Sequence, residues 1–405
     1  MGYTKNAISG FSWQTVLTIT TAAITTGKLM ILARLLTQND FGLFAYVIIA
    51  LGLTESLTQT GVNVTLLQAK RSLTEYINTA WIISIFRGLL IAAVMTVLGL
   101  AMSSFFAEPT LWLLIGTASL IPIIKGFINP YIISYQKELA FFKESAFRLS
   151  LITIEALATI AFVWYWRSVS GMIVGMMIAA AAEVLLTFCI FKCRPVWQYS
   201  RDRAREIFHN ARGLSLGAAL HYINEHVDDI ILGRSLGTAS LGVYHNAYAL
   251  GHRPTYGFAQ ALTHSTLPVF VRIAEDTSRL RKAYLRSSVG LGGLAGLGML
   301  VAVLFPDIVV RIILGDGWLD VVPVLPWLAV AGFIEAQTAM GYTVLIALKK
   351  YWLMNIHRIL GIIILIPSLV IGLSWFGIVG AGIAWVLSRI VITPILAIML
   401  YKELR

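Results

Sequence analysis

Long apolar segments fill almost the whole chain, and they decide its fold class. Each is long enough for one helical crossing of a bilayer, which takes about 20 residues. Their continuous rather than alternating hydrophobicity disfavours membrane-spanning β-strands. The sequence therefore predicts an all-α polytopic membrane protein with twelve transmembrane helices. The predicted spans are 8–33, 41–65, 78–101, 111–135, 146–166, 171–192, 212–233, 241–269, 287–314, 322–348, 354–375 and 380–401.

The composition excludes a soluble protein. Hydrophobic residues make up 58% of the 405 and charged residues 13%, whereas soluble domains carry roughly 25% charged residues. The net charge of +11 would suggest nucleic-acid binding in a soluble protein. Here 22 of the 31 lysines and arginines fall in the connecting segments, or at the adjoining span ends, on the side that holds both chain ends. Because cytoplasmic loops carry the positive excess, both termini are predicted to be cytoplasmic, and no nucleic-acid partner is expected.

The chain is predicted to consist of two halves. A basic connection, 193–211, separates helices one to six in 1–192 from helices seven to twelve in 212–405. The segment ILARLLTQNDFGLF at 31–44 is similar to ILGRSLGTASLGVY at 231–244, at a constant offset of 200. Because an even number of helices separates the copies, the halves are predicted to be parallel six-helix lobes. Such lobes are related by a pseudo-two-fold axis along the membrane normal and enclose a central cavity.

Few features of the chain suggest enzyme chemistry. There is no P-loop, no GxSxG motif and no large outer loop, so neither an enzyme nor a cofactor is expected. Cys189 and Cys193 are predicted to be reduced thiols, since two ligands do not make a structural zinc site, and no metal is expected. The stretch after Lys5 lacks a small-residue cleavage site and is predicted to be a retained first helix.

The first helix of each half is unusually polar. Residues 8–33 hold many serines and threonines together with Lys28, and 212–233 hold His221, Glu225, Asp228 and Asp229. Two interpretations stay open: hydroxyls that bond their own helix backbone, and a face that lines a water-filled cleft. Lys28 matches Asp228 at the 200-residue offset, which suggests as a hypothesis an ion pair between the halves.

Charges within spans tend to face a cavity or a partner, because burying them in lipid is costly. Arg253 precedes Pro254 in the eighth helix, and its planar guanidinium suits a phosphate. An ion pair with Glu225 or Asp228 is an equal alternative. Lys125 is its counterpart in the other half, and Glu55 joins the two aspartates as a carboxylate suited to proton coupling. Glu183 and Arg87 lie near span ends, where reaching to the interface is the simpler explanation.

Several segments resemble a known family. These are LARLLTQNDFGLFAYV followed by ESLTQTGVNVTLLQAKRSLTEYINTAW, then VDDIILGRSLGTASLGVYHNAYAL, LPVFVRIAEDTSRLRKAYLRS and LGDGW in the second half. Together they resemble the bacterial O-antigen and exopolysaccharide flippases of the multidrug/oligosaccharidyl-lipid/polysaccharide exporter superfamily. The resemblance implies two six-helix lobes around a cavity that opens to alternate sides. Some relatives have fourteen helices, whereas this chain is predicted to have twelve.

The resemblance also implies a function and a place. Such flippases move undecaprenyl-diphosphate-linked oligosaccharide from the cytoplasmic to the periplasmic leaflet of the bacterial inner membrane. Expected partners are this substrate, membrane lipid, a coupling proton or sodium ion and other polysaccharide-assembly proteins. The expected contacts of the diphosphate and glycan are Arg253, Lys28, Lys125 and, more weakly, Arg389. Expected coupling or gating residues are Asp228, Asp229, Glu55, Arg34 and Arg234.

Two other functions compete with the flippase. A small-molecule or drug antiporter of the same superfamily is the main alternative, although the cationic balance within the spans argues against organic cations. A membrane enzyme such as a glycan polymerase is the third, and the short outer loops disfavour it.

Overall fold

The computed structural model of the chain describes residues 2–58, 62, 66–67, 72–138, 140–211 and 214–404. Side chains are described except at 2–16, 209–211, 214–221, 223, 224, 261 and 264. The described residues form helices and short 3-10 turns, without a strand. They divide into two compact units, 1–226 and 227–405.

Ten helices come first among the described residues, and the last of them crosses the division between the two units. They are α1 Gly2–Leu35, α2 Gln38–Leu57, α3 Thr74–Phe106, α4 Leu111–Ala118, α5 Leu120–Gly126, α6 Ser134–Lys137, α7 Phe141–Trp166, α8 Ser170–Ile190, α9 Arg201–Ala211 and α10 Leu214–Leu236. Within the first unit, α7 packs against α8 and α1, and α3 packs against α4 and α5.

Five further helices follow among the described residues. They are α11 Thr238–Arg272, α12 Thr277–Leu304, α13 Pro306–Ile313, α14 Leu325–Ala347 and α15 Tyr351–Glu403. The second unit is built around α14, which packs most extensively against α11 and also against α12 and α15. A buried apolar cluster that includes Phe270, Leu291 and Met340 fills the space between them.

The described helices are those of a multi-pass membrane protein. Seven of them are long and apolar enough to cross a bilayer. The segments Leu111–Gly126 and Pro130–Lys137, which contain α4 to α6 and are bent by 69° relative to each other, make an eighth if they count as one span. The bend falls at Asn129 and Pro130, where the Asn129 side chain accepts from the Tyr131 N–H and starts a 3-10 turn. The predicted number of twelve spans stays a prediction.

The internal repeat marks a helix–turn–helix in both copies. In the first copy α1 ends at Leu35, and Thr37 caps α2 through a reciprocal pair of hydrogen bonds with Asp40. In the second copy α10 ends at Leu236, and Gly237 (φ +83°) makes the turn into α11. The repeat therefore preserves a turn between two helices, while the symmetry of whole lobes stays a prediction.

The predicted linker is partly helical and docks on the first unit. Arg203 of α9 forms an ion pair with Glu75 at the start of α3. Glu206 accepts a hydrogen bond from the Tyr76 hydroxyl at 2.9 Å. The Arg203 guanidinium also lies 4.8 Å from the centre of the Tyr76 ring. These contacts fix the basic connection to α3. Cys189, just before this connection, and Cys193, its first residue, are both free thiols.

The longest helix is divided by glycines. Gly377 adopts φ +58° and ψ −139° inside α15, a conformation open essentially to glycine alone. On either side of it the backbones of Gly372 and Gly380 touch, so that a Cβ on either would collide with the carbonyl of the other. Residues 351–403 therefore form two helical segments that turn tightly at 372–380.

Replacing Gly380 with alanine should destabilise the second unit, because the added methyl has no space against Gly372. The expected loss is about 1–3 kcal/mol, the usual cost of overpacking. Gly293→Ala is the matched control, since nothing lies within 4 Å of a Cβ there. That substitution should raise stability by up to ~1 kcal/mol through helix propensity. Thermal unfolding of the purified chain in detergent measures both, and equal midpoints would contradict the close approach.

Candidate functional site

Lys28 of the first unit is neutralised by a glutamate. Its Nζ donates to both carboxylate oxygens of Glu155 in α7, at 2.9 and 2.8 Å. Thr159, one turn further along α7, donates to the same carboxylate at 3.0 Å. Both side chains of the pair are only about a fifth exposed, 21% and 22%. The structure thus gives Lys28 the partner Glu155 within its own unit, and the pair with Asp228 stays a hypothesis.

Lys125 and Glu55 form a second, looser pair. The Lys125 Nζ lies 3.7 Å from Glu55 Oε1, and both side chains are more than a third exposed. Arg87 of α3 donates from Nε to the Thr58 carbonyl at 2.7 Å and from an Nη to the Glu55 carbonyl at 3.0 Å. Arg87 therefore satisfies the last carbonyls of α2, as cations near helix C-termini commonly do. Glu55, a predicted coupling residue, lies beside a predicted substrate contact.

The duplicated arginines lie at the ends of the two polar helices. Arg34 is exposed near the end of α1, and its Nη1 donates to the Met30 carbonyl at 2.6 Å. Arg234 is exposed in the last turn of α10. Both placements fit the prediction of structural or gating residues at one face, which stays a prediction.

Asp228 is the most deeply buried predicted site residue, with 1% of its surface exposed. Its Oδ2 accepts from the Tyr244 hydroxyl at 2.6 Å and from the Trp385 indole N–H at 2.9 Å. Its Oδ1 has no hydrogen-bond partner among the described residues. Asp229, beside it, is also buried. Asp228 is therefore held by two neutral donors of its own unit.

Glu335 of α14 joins two basic side chains. Its Oε2 lies 3.2 Å from an Nη of Arg389 and 2.9 Å from Nε2 of His252. Arg358 adds a second positive charge to its surroundings. Arg389, a predicted substrate contact, is therefore paired within the unit, and its side chain is only 11% exposed.

Trp385 connects the aspartate and the glutamate. Its indole donates to Asp228 on one side, and the Arg389 guanidinium lies over its ring at 4.6 Å on the other. The ring also contacts His252 and Tyr248, with centroids 5.8 and 6.3 Å away. We call these residues the Trp385 cluster; its members are Asp228, Tyr244, Tyr248, His252, Glu335, Trp385 and Arg389.

Arg253 differs from the other predicted contacts. It is exposed on α11, and its guanidinium lies 5.9 Å from the centre of the Tyr248 ring, at the edge of the Trp385 cluster. Among the described residues it makes no hydrogen bond and no ion pair, so the alternative pairing with Asp228 is not seen. Its charge is therefore available to an anion, while Lys28, Lys125 and Arg389 each lie beside a glutamate.

Some buried polar atoms of the Trp385 cluster have no hydrogen-bond partner among the described residues. Asp228 Oδ1, His252 Nδ1 and Arg389 Nε are buried and lack partners in the described part of the chain. Buried polar groups without partners are uncommon and need an explanation, such as a ligand, a proton or water. Together with the aromatic rings and Arg253, they make the Trp385 cluster the candidate functional site of the second unit. The described residues include no group of three or more potential ligands for a metal ion.

Sequence reasoning found some members of this site and missed others. Asp228, Arg389 and Arg253 were predicted as site residues because they are charges within apolar spans. Trp385 and Tyr244 were missed, since aromatic residues are ordinary in membrane helices and nothing in the sequence marks their hydrogen bonds. Glu155 and Glu335 carried a usable signal, because each is an isolated acid in an apolar segment.

Comparison with known proteins identifies a family. Residues 31–323 match a family model described as polysaccharide biosynthesis protein. The chain is 24% identical over 399 residues to lipopolysaccharide biosynthesis protein WzxC of Escherichia coli K12, covering 97% of this chain and 80% of that protein. It is 21% identical over 400 residues to teichuronic acid biosynthesis protein TuaB of Bacillus subtilis 168, covering 96% and 80%.

Solved structures share the fold. The lipid II flippase MurJ in an inward closed conformation is similar with a TM-score of 0.76 at 12% identity, covering 96% of this chain and 88% of that one. An inward-facing multidrug resistance MATE family transporter of the MOP superfamily is similar with a TM-score of 0.70 at 14% identity, covering 95% of both chains. At such low identity the likeness shows the fold alone.

Exchanging the charges of Lys28 and Glu155 tests their pairing. Either single reversal, Lys28→Glu or Glu155→Lys, places two like charges together in a half-buried position. Each should lower the unfolding temperature and the yield of folded chain, and the double exchange should restore most of both. Breaking a buried pair typically costs about 3–5 kcal/mol, so partial exposure should bring the loss below that range.

The control for this exchange is Lys28→Glu combined with Asp228→Lys. That pair should restore nothing, because Lys28 contacts Glu155. Recovery in the Asp228 combination, and none in the Glu155 combination, would contradict the assignment. Fluorescence size-exclusion chromatography with a thermal ramp measures the fraction of folded protein in each case.

Proposed function

The chain belongs to the polysaccharide biosynthesis protein family, and we propose that it flips undecaprenyl-diphosphate-linked oligosaccharide from the cytoplasmic to the periplasmic leaflet by alternating access. It is a membrane transporter and not an enzyme. Relatives named for lipopolysaccharide and teichuronic acid biosynthesis support a polysaccharide substrate. The fold shared with a lipid II flippase supports transport of a lipid-linked molecule.

The Trp385 cluster with Arg253 carries this proposal. A lipid-linked oligosaccharide has an anionic diphosphate and a polar glycan. Arg253 has no acidic partner in the described structure and supplies the planar fork that binds phosphate oxygens. Tyr248 supplies a flat ring beside it and also contacts Trp385, and the buried, unpartnered atoms of Asp228, His252 and Arg389 become polar contacts when the transport cycle opens the cluster. In this proposal Arg253 contacts the diphosphate, and Lys28, Lys125 and Arg389 join it only where their glutamates release them.

Twelve membrane crossings, the number predicted from the sequence, are part of the proposal. Three further helices, α1, α10 and α11, are not among the seven apolar ones. They have 34, 23 and 35 residues, so each is long enough to cross a bilayer. The 53 residues of α15 are enough for two crossings divided at Gly377. The seven apolar helices, the bent segment of α4 to α6, the three polar helices and the second crossing of α15 together give the proposed twelve crossings. In this proposal the chain lies in the bacterial inner membrane with both termini on the cytoplasmic side.

Coupling to an ion gradient is part of the proposal. Asp228 is buried, receives two neutral hydrogen bonds and keeps one oxygen without a partner. A carboxyl in such surroundings is suited to take up a proton during the transport cycle. Asp229 and Glu55 are the secondary candidates, and Arg34 and Arg234 remain candidates for gating.

The drug antiporter remains the second candidate because the fold is shared with a multidrug transporter. An organic cation would favour an acidic site. In the Trp385 cluster Arg389 already neutralises Glu335, so that carboxylate is not open to an organic cation. Arg253 at its edge has no acidic partner in the described structure, and this cation supports an anionic substrate over a cationic one.

Reconstitution tests the function directly. Proteoliposomes holding the purified chain receive a labelled undecaprenyl-diphosphate oligosaccharide, and its transfer between leaflets is measured by accessibility to an enzyme outside. The unaltered chain should transfer it, and Arg253→Ala should reduce the rate roughly 10- to 100-fold, as expected for the loss of one or two charge-assisted hydrogen bonds. Arg253→Lys should fall between them because it keeps the charge and loses the fork.

Arg272→Ala is the matched control. Arg272 is an exposed arginine in the last turn of the same helix. The Arg272→Ala variant should transfer the labelled oligosaccharide at the rate of the unaltered chain. Normal transfer by Arg253→Ala would remove Arg253 from the site. Absence of transfer by the unaltered chain, with efflux of a cationic drug in its place, would favour the antiporter.

A further inference from the structure

A groove of about 450 Å³ lies between α1 and α7 in the first unit. Its walls are almost entirely apolar, and Arg34 is the only charged residue that lines it in the described part of the chain. The lining residues are Gly27, Met30, Ile31, Arg34, Leu35 and Trp164. Gly27 opens the groove, since nothing lies within 4 Å of a Cβ built there.

The groove ends at a band of exposed aromatic residues. Trp164, Tyr165 and Trp166 close α7, with 63%, 81% and 44% of their surfaces exposed. Tryptophan and tyrosine collect at the level of lipid headgroups, where a ring can lie in the apolar region and its polar atom in water. The mouth of the groove is therefore at headgroup depth and its walls extend toward the hydrocarbon.

A second arginine is placed at the same mouth. Arg167 follows the aromatic band, and its guanidinium lies 5.2 Å from the centre of the Trp164 ring. Its backbone is left-handed, with φ 50° and ψ 42°, where it caps α7. Glycine or asparagine is the usual residue in that position, so an arginine there is kept at a conformational cost. Arg34 and Arg167 are thus both placed near Trp164, one as a lining residue of the same groove and one against its ring.

We propose that this groove binds an anionic glycerophospholipid of the surrounding bilayer. One acyl chain lies along Ile31, Met30 and the space left by Gly27, and Arg34 and Arg167 contact the headgroup phosphate beside Trp164. An apolar slot with two cations at headgroup depth matches an anionic lipid in both shape and charge. A zwitterionic lipid would bring a positive group to the same two arginines. The assignment is independent of the proposed transport function.

The internal repeat indicates that this site belongs to one unit. At the 200-residue offset, Met30, Ile31 and Arg34 correspond to Ile230, Ile231 and Arg234, whereas Gly27 corresponds to Val227. The second unit therefore keeps the arginine and fills the position that opens the groove.

Native mass spectrometry of the full chain tests the proposal. The protein, delipidated in detergent, is titrated with phosphatidylglycerol or phosphatidylethanolamine of the same acyl chains, and bound lipid is counted. Phosphatidylglycerol should bind more tightly. Neutralising one arginine, as Arg34→Gln or Arg167→Gln, should weaken it about fivefold, the effect of one basic residue near a membrane surface. Gly27→Leu should weaken it with both arginines present.

Two variants control for charge and for volume. Arg311→Gln removes an arginine that already lies against Asp307 and Asp316, and Gly116→Leu fills an open position on α4. Both should bind phosphatidylglycerol as the unaltered chain does. Equal binding of the two lipids, or equal loss in the control variants, would overturn the proposal. Tighter binding of undecaprenyl diphosphate than of phosphatidylglycerol would overturn it too, by assigning the groove to the carrier lipid.

Discussion

The cost of a charge inside a membrane protein governs the rest of this structure. An isolated ionised side chain in apolar surroundings is strongly unfavourable, and a partner within hydrogen-bonding distance makes it tolerable. Lys28 meets Glu155, and Arg389 meets Glu335, each within its own unit. These pairs fix α1 against α7 and α15 against α14. They allow otherwise apolar helices to carry the charges that transport of a polar molecule requires.

Ion pairing also distinguishes cations that are held by a carboxylate from cations that have no acidic partner. Neutralised cations cannot hold a phosphate without first giving up their carboxylates, and that exchange costs much of what the phosphate would supply. Arg253 has no such competitor among the described residues. It lies beside the Trp385 cluster, whose aromatic rings and unpartnered polar atoms provide contacts of other kinds. The buried polar contacts of the second unit therefore concentrate around α11, α14 and α15.

Glycine has a comparable structural role where helices must bend or approach closely. Gly377 allows the turn within α15, and Gly372 and Gly380 allow the backbones beside it to touch. Gly27 has the opposite effect, because its missing side chain leaves space between α1 and α7. Gly52 makes space for a side chain, because a Cβ there would collide with the ring of Tyr222. The Tyr222 hydroxyl donates to the Ile48 carbonyl at 3.1 Å. In each case the absence of a Cβ sets local geometry that hydropathy does not reveal.

The sequence by itself determined the class of the protein and its family. Continuous apolar runs with few charges leave the membrane-spanning helix as the only way to satisfy the backbone. The family resemblance carried by the repeat and its flanking segments is confirmed by the match over 31–323. The positions of the charges along the chain were also visible, because each interrupts an apolar run.

Only the tertiary structure decided what each charge does. The offset of the repeat suggested Asp228 as the partner of Lys28, while the packing of α1 on α7 placed Glu155 there. Nothing in the sequence linked Trp385 to Asp228 across 157 positions, or Arg389 to Glu335. The physical reason is that hydropathy reports the average environment of a segment, whereas pairing depends on distances of about 3 Å between side chains brought together from distant segments.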